Sequence, residues 1–199
     1  MQAEDPALLA RLRSGDQAAF ATVVRQWSPA MLRVARLYVR THSSAEEVVQ
    51  ETWLAVLRSL HGFEGRAALR TWVFRILLNV ARGRARHEER LNLELTGPAV
   101  PRQRSRERDE SHAGGWLADA VPVDLEPETA ALTAEFHTAL QRALADVPER
   151  QRAVVELRDV QGFDSDEVCE LLDLTPANQR VLLHRGRAKL RETLEAVMA

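Results

Sequence analysis

The chain has 199 residues, of which 45% are apolar, so it can bury the core of one ordinary domain or of two small ones. Its 27 basic and 29 acidic residues nearly cancel, and its single cysteine, Cys169, excludes an internal disulfide. No segment approaches the roughly 18 consecutive apolar residues of a membrane-spanning helix. The acidic start of the chain lacks the apolar core of a signal peptide, so we expect a cytoplasmic protein without membrane insertion.

Charge is distributed unevenly along the chain. Residues 1–90 carry 14 basic and 9 acidic side chains, a net charge of +5, whereas residues 91–135 carry 4 and 9, a net charge of −5. Residues 174–191 hold five basic side chains and no acidic one. Two basic stretches on either side of an acidic middle favour two separate contacts with nucleic acid, joined by a segment that nucleic acid repels.

The start of the chain predicts three helices with no strand signal between them. Apolar residues at helical spacing place them at about residues 5–13, 17–40 and 44–60. Asp5 and Pro6 are typical of an N-cap and a first helical position, and Pro29 is a candidate kink. Ser44 and Glu47 predict a capping box for the third helix. These elements predict an all-α bundle.

A loop at residues 63–68 leads into a basic helix that is predicted to extend to about Arg90. Its apolar stripe contains Leu69, Trp72, Val73, Ile76, Leu77 and Val80. Another side carries Arg75, Asn79, Arg82 and Arg86. Guanidinium groups, aromatic rings and an amide can contact phosphates, unstacked bases and base edges, which indicates nucleic-acid binding. A surface helix with solvated arginines fits the same pattern about equally well.

Residues 91–127 lose helical periodicity and predict a flexible linker. Pro98, Pro101, Pro122 and the pair Gly114-Gly115 interrupt the segment, and a run of alternating charges follows the second of these prolines. A solvated tether without specific contacts is one interpretation of this segment.

A second helical set is predicted over residues 128–199. Asp164 and Glu167 predict a capped short helix, and Thr175 and Pro176 open a final helix after a tight turn. The polar side of that helix carries Asn178, Gln179, Arg180, His184, Arg185 and Arg187. A short helix, a turn and a second helix with amides and arginines are the plan of a helix-turn-helix, whose second helix enters the major groove. Together with the acid-free basic stretch, this plan favours DNA binding over simple packing.

Four motifs, in order along the chain, carry a resemblance to a known family. They are AEEVVQETW at 45–53, FEG at 63–65 with TWVFRILLN at 71–79, VPERQR at 147–152, and HRGRAKLR at 184–191. They resemble the sigma-70 family, most closely its small two-domain members, the extracytoplasmic-function (ECF) sigma factors. The resemblance implies a bacterial transcription initiation factor that binds core RNA polymerase, recognises two promoter elements and helps to open the duplex. It is therefore not expected to be an enzyme.

The resemblance also assigns regions and residues. Residues 1–90 would form the polymerase-binding and downstream-element domain, 91–127 the linker, and 128–199 the upstream-element domain. Polymerase contacts are implied for Glu47, Gln50, Glu51 and Trp53. Downstream-element contacts are implied for Phe63, Gly65, Arg66, Ala67, Arg70, Trp72, Arg75, Asn79, Arg82 and Arg86. Upstream-element contacts are implied for Arg158, Asn178, Gln179, Arg180, Val181, His184, Arg185 and Arg187.

Two departures from the family pattern bear on specificity. Ala67 stands where the pocket loop often has a small hydroxyl residue, which removes one potential hydrogen bond to a base flipped out of the duplex. Residues 178–182 read NQRVL where the family commonly has Thr-Val, a basic residue, Ser and Arg. Asn178 and Gln179 suit adenine, so we expect an atypical upstream element.

The partners implied by the resemblance are core RNA polymerase, promoter DNA as duplex and as melted strand, and an anti-sigma factor. The acidic linker would thread into polymerase as a mimic of nucleic acid. A stand-alone helix-turn-helix regulator is the alternative, although the sequence has no heptad pattern for a dimer and that function leaves the acidic motif at 45–53 unexplained. No phosphate loop, metal-ligand cluster or nucleophile motif is visible, so we predict no cofactor and no metal.

Overall fold

The computed structural model describes residues 6–96 and 147–198, and this part of the chain consists of helices and turns without strands. The chain divides into two compact units, Met1–Arg102 and Gln103–Ala199. The predicted all-α class with two helical units is therefore confirmed. The predicted domain limits remain a prediction, because most of the linker and the first predicted helix of the second set lie outside the described residues.

The first unit contains four α-helices within its described residues, 6–96. They are α1 (Pro6–Arg13), α2 (Gln17–Ala35), α3 (His42–Ser59) and α4 (Leu69–Thr96), with a 3₁₀ turn at Leu60–Gly62 between α3 and α4. Asp16 caps α2 by accepting a hydrogen bond of 3.0 Å from the amide of Ala19. Helix α2 contains Pro29 and ends at Ala35, before the predicted limit at residue 40.

The predicted capping box of α3 is wrong. Thr41 is the N-cap, since its hydroxyl accepts a hydrogen bond of 3.1 Å from the amide of Ser44. Ser44 itself is buried in the first turn, where its hydroxyl donates to Glu88 on α4. Several hydroxyl residues lie close together at this helix start, and only the packing of α3 against α4 decides which of them caps the helix.

The core of the first unit is aromatic on one side and aliphatic on the other. Trp53 stacks on Trp27 with ring centroids 6.4 Å apart and meets the edge of Phe20 at 5.6 Å. Its indole nitrogen donates to the hydroxyl of Ser28 at 3.0 Å. The completely buried side chains of α2, α3 and α4 include Met31, Val34, Val48, Phe74 and Leu77. The packing of these helices fixes which side of α3 and of α4 remains at the surface.

The second unit, as far as described, contains three α-helices. They are α5 (Glu149–Val155), which continues into a π turn at Glu156–Val160, α6 (Ser165–Leu172) and α7 (Pro176–Met198). The predicted capping box of α6 is confirmed, with hydrogen bonds of 2.8 Å in both directions between Asp164 and Glu167. Helix α6 ends at Asp173, whose left-handed conformation (φ 54°) makes the turn into α7.

A glycine lets α7 pack closely on α5. A Cβ atom at Gly186 would lie 2.7 Å from a methyl group of Val155 and 3.2 Å from the carbonyl oxygen of Gln151. The absence of a side chain here fixes the distance between the two helices. The rotation of α7, and with it the set of side chains at the surface, follows from this contact and from the buried face next to α6.

Candidate functional site

The outer face of α3 is acidic at one end and apolar at the other. Glu47, Gln50 and Glu51 are all exposed, at spacings of three and one that place them on one side of the helix. Leu54 and Leu57 continue this side with 51% and 48% of their surface exposed. These two leucines belong to the same surface and are absent from the residues assigned by sequence. The sequence did not predict their exposure, because apolar residues occur on most sides of α3 and do not form one separate stripe.

Arg84 on α4 contacts both glutamates of this face. Its Nη2 atom lies 2.7 Å from Oε2 of Glu47 and donates a hydrogen bond of 2.8 Å to Oε1 of Glu51. The Arg84 side chain is 24% exposed, whereas the side chains of Glu47 and Glu51 are 51% and 53% exposed. Sequence analysis missed Arg84. A signal existed, because Arg84 and Glu88 continue the buried stripe of Leu77 and Ala81 at spacings of three and four.

Trp53 does not belong to the exposed face. Only 8% of its surface is accessible, and its ring packs on Trp27 and Phe20. Trp53 therefore supports α3 from inside the core of the free chain, and its predicted contact with polymerase remains a prediction. The burial has a simple cause, since Trp53 lies two residues beyond Glu51 and points to a different side of the helix.

The loop before α4 is anchored at its first residue. Phe63 is 6% exposed, and its ring centre lies 4.9 Å from that of Trp72 on α4. Of these two predicted contact residues, Phe63 is therefore buried and Trp72 is half-buried. Arg13 on α1 donates to the carbonyl oxygen of Phe63. Beyond this anchor, Gly65 adopts a positive φ of 75° and Arg66 pairs with Glu64 at the surface. The loop thus has a fixed start and an exposed tip, with Ala67 half-buried.

The predicted DNA-facing residues of α4 differ in how they are held. Arg75, Asn79 and Arg86 are exposed. The guanidinium group of Arg82 lies 5.9 Å from the ring centre of Tyr38, and that of Arg70 lies 5.3 Å from the ring centre of Phe74. Stacking on a ring helps to hold each guanidinium group in place at the surface of α4.

Helix α7 presents a polar surface over its first turns. Asn178, Arg180, Val181, His184 and Arg185 are all exposed, and Val181 retains 45% of its surface. The hydroxyl of Thr175 accepts a hydrogen bond of 3.3 Å from the amide of Asn178, which caps the helix. The surface offers an amide, two guanidinium groups and an apolar contact, which together can approach base edges, phosphates and a thymine methyl group.

Gln179 is the exception among the residues assigned to α7. It is 2% exposed, and its Oε1 atom accepts a hydrogen bond of 3.2 Å from the hydroxyl of Ser165 on α6. Its Nε2 atom has no hydrogen-bond partner in the described structure. The Gln179 side chain therefore packs between α6 and α7, and its predicted base contact remains a prediction.

Two further arginines are engaged within the second unit. Arg187 donates two hydrogen bonds to the carboxylate of Asp159, at 2.8 and 2.6 Å, and this pairing raises the pKa of Arg187. Arg158 donates at 2.5 Å to the carbonyl oxygen of Phe163 and so holds the loop before α6. Arg187 remains half-exposed and can still reach a phosphate, whereas the Arg158 contact is structural.

Within residues 6–96 and 147–198, no three His, Cys, Asp or Glu side chains lie close enough together to hold a metal ion. The helices of the same residues include none that is both long and apolar enough to cross a membrane.

The helix-turn-helix of α6 and α7, with its exposed basic surface, places the chain among DNA-binding proteins. Two family models match the chain: Sigma-70 region 2 over residues 23–91 and Sigma-70, region 4 over residues 137–190. Together they span more than half of the chain. The chain belongs to the sigma-70 family and is an ECF sigma factor. It directs RNA polymerase to promoters, and it is not an enzyme.

Curated relatives match over nearly the whole length. The ECF RNA polymerase sigma-E factor of Haemophilus influenzae is 26% identical over 199 residues, covering 99% of this chain and 98% of the relative. The RNA polymerase sigma-H factor of Pseudomonas aeruginosa is 25% identical over 198 residues, covering 99% of this chain and 97% of the relative.

Solved structures share the fold. CnrH, in complex with the cytosolic domain of CnrY, has a TM-score of 0.61 at 24% identity and covers 96% of both chains. The sigma factor RpoE of Bartonella quintana, in complex with the anti-sigma factor NepR, has a TM-score of 0.63 at 20% identity, covering 88% of this chain and 96% of that one.

Proposed function

We propose that the protein binds core polymerase through the outer face of α3, recognises and opens the downstream promoter element with α4 and its preceding loop, and reads the upstream element with α7. One observation carries this proposal: each unit exposes an asparagine flanked by arginines, and the two surroundings differ. Asn178 lies on the second helix of a helix-turn-helix, whereas Asn79 lies on a long helix beside an anchored loop. The first arrangement suits duplex DNA and the second suits unpaired bases.

The polymerase contact is supported by the chemistry of the α3 face. Two carboxylates and an amide beside exposed Leu54 and Leu57 combine charge with apolar area, which is the usual composition of a specific protein interface. The family resemblance supplies a basic helical partner, the clamp helices of the largest polymerase subunit. Complementary charge would orient that partner, and the leucines would contribute most of the buried apolar surface.

Recognition of the upstream element is supported by the exposed row on α7. Asn178 can bond bidentately to adenine, and Arg185 and Arg180 can contact phosphates or guanine. Val181 stands where the family commonly has serine, so an apolar contact with a thymine methyl group replaces a hydroxyl contact at that position. We therefore expect an upstream element that differs from those of typical members.

Opening of the downstream element is supported by the loop at residues 63–68 and by Asn79. Extruding a base costs a few kcal/mol, so the protein must hold the flipped base with aromatic, polar and cationic groups. Trp72 and Phe63 form one wall of this region, while Arg75 and Asn79 remain exposed beside it. These contacts would form only after the strands have separated.

Two further parts of the proposal concern regulation and location. The solved relatives CnrH and RpoE were determined with a bound protein, which for RpoE is named as an anti-sigma factor. We infer that an anti-sigma factor also controls this chain. We also infer that the chain acts in the cytoplasm, where polymerase is found.

A pair of substitutions tests the division between the two DNA contacts. Arg185→Ala should weaken binding of the polymerase complex to duplex promoter DNA and reduce the slope of log K against log salt by about one unit, because one phosphate contact is lost. Asn79→Ala should leave duplex binding nearly unchanged but reduce permanganate reactivity of thymines in the downstream element. Arg150→Ala and Asn92→Ala, exposed residues of the same types in the same units, serve as controls. The opposite pattern, with Asn79→Ala impairing duplex binding and Arg185→Ala only melting, would reverse the assignment.

A further inference from the structure

The contact between Arg84 and the two glutamates of α3 joins the basic helix to the acidic face. One nitrogen, Nη2 of Arg84, lies between Oε2 of Glu47 and Oε1 of Glu51 at 2.7 and 2.8 Å. We propose that Arg84 is a positioning residue for polymerase binding, which holds both carboxylates in the orientation that the partner recognises. This inference rests on the proposed role of the α3 face.

The pairing solves an electrostatic problem within α3. Glu47 and Glu51 are four residues apart, so their like charges repel each other and would otherwise turn away from one another into solvent. Arg84 neutralises part of this repulsion from a position that is only 24% exposed, where water and salt screen its charge less than at the open surface. The carboxylates therefore converge on one point of the helix surface.

Arg84 leaves both carboxylates able to bind a partner. Each glutamate uses one oxygen for Arg84, and in the described part of the chain its second oxygen has no hydrogen-bond or ion-pair partner. The side chains of both glutamates are also more than half exposed. A basic side chain of polymerase can therefore bind the outer oxygens without displacing Arg84. Because the carboxylates are already ordered, less side-chain entropy is lost on binding.

A second contact makes it possible to remove Arg84 without separating the helices. Ser44, at the start of α3, donates to Glu88 on α4, one turn beyond Arg84. The hydrophobic seam with Val48, Phe74 and Leu77 lies on the buried side of both helices. Arg84→Ala should accordingly keep α3 packed on α4 and change only the order and charge of the exposed carboxylates.

The test is an equilibrium titration of the full-length protein with core RNA polymerase in the absence of DNA. Arg84→Ala should weaken binding by about threefold to tenfold. The affinity of Arg84→Lys should lie between that of Arg84→Ala and that of the unsubstituted protein, because an ammonium group keeps the charge but lacks the planar fork of donors. Arg90→Ala is the matched control: it removes the same charge from α4, but within residues 6–96 and 147–198 the partners of Arg90 are only His87 and Glu94 of its own helix. It should leave the affinity unchanged.

A double-mutant cycle isolates the positioning role. In a background with Glu47→Gln and Glu51→Gln, the additional change Arg84→Ala should have no effect, because no charged carboxylate remains to be oriented. An equal loss in both backgrounds would overturn the proposal, as would a lower melting temperature with unchanged affinity. Tighter binding by Arg84→Ala would also overturn it, since Arg84 would then be a competitor of the partner.

The failure of this inference can be distinguished from the failure of the proposed function. If Glu51→Arg weakens polymerase binding and Arg84→Ala does not, the α3 face binds polymerase without help from Arg84. If neither change alters the affinity, α3 is not the polymerase-binding face, and both proposals are wrong.

Discussion

Replacing Gln179 by methionine separates two roles for this residue of α7. A base-reading glutamine would lose a bidentate contact with adenine, and binding to the upstream element would fall. The structure instead buries Gln179 between α6 and α7, with 2% of its surface exposed. Methionine has a similar length and volume and a similar helix propensity, so it can occupy the same space. We expect Gln179→Met to leave DNA binding unchanged and to stabilise the second unit.

The expected magnitude follows from two opposing terms. Burying the Nε2 group without a partner costs about 1–3 kcal/mol, and this cost disappears in the variant. The hydrogen bond from Ser165, 3.2 Å long, contributes about 0.5–1.5 kcal/mol and is lost. Ser165 is only half-buried, so its hydroxyl can turn to water. The difference is a stabilisation of about 1 kcal/mol.

Native-state hydrogen exchange of the full-length protein measures this change at the amides of α6 and α7. Their opening free energy should rise by about 1 kcal/mol in Gln179→Met. Ser165→Ala is the companion variant, which should destabilise the same amides in the original background but have almost no effect once Gln179 is methionine. A destabilisation by Gln179→Met, or a clear loss of affinity for the upstream element, would refute the buried role.

Three other predictions follow from contacts at the surface of the two units. Glu51→Arg should weaken association with core polymerase by at least about tenfold, or about 1.4 kcal/mol, in a pull-down titration. The control Glu89→Arg on α4 should have no effect. Unchanged affinity of Glu51→Arg would mean that α3 is not part of the interface. Asp159→Ala should release Arg187 from its ion pair. The slope of log K for duplex binding against log salt, measured by fluorescence anisotropy, should then steepen by up to about one unit. An unchanged slope would mean that Arg187 does not reach a phosphate. The pKa of Asp16 lies below its ordinary value of 3.8, first because of the hydrogen bond from the amide of Ala19 and next because of the hydrogen bond from Arg11. The ionised Asp16 side chain therefore stabilises the fold fully above pH 3.8, and this stabilisation is lost as the pH falls through the lowered pKa. Asp16→Asn keeps the cap but cannot titrate, so it should remove this part of the acid sensitivity in unfolding curves measured over about pH 2–5, and identical curves would contradict the assignment.

Helical periodicity and caps were sufficient to predict the fold class and most helices. The alternation of apolar residues located α2, α3, α4 and α7, and the pair Asp164 and Glu167 identified the true start of α6. The start of α3 was misplaced because Thr41 and Ser44 are both good caps by residue type. Only the burial of Ser44 against α4 distinguishes them, and that burial depends on tertiary packing.

Two of the predicted contact residues are buried for a common physical reason. Trp53 and Gln179 have side chains that suit binding, yet the rotation of their helices directs them inward. For Gln179 the family pattern held a usable signal, since valine commonly stands at that position and predicts a buried site. Arg84 was overlooked because its partners lie on another helix, more than thirty residues away in sequence. A charged residue on an otherwise apolar stripe is the feature that could have identified it.

The most direct test of the account is reconstitution with core RNA polymerase that carries no other sigma factor. We expect the full-length protein to co-elute with the polymerase in gel filtration and the purified complex to initiate transcription at a defined set of promoters in genomic DNA. The contrary result is a protein that elutes apart from polymerase, above all as a dimer that binds DNA by itself. That result would make it a stand-alone regulator and contradict the central claim.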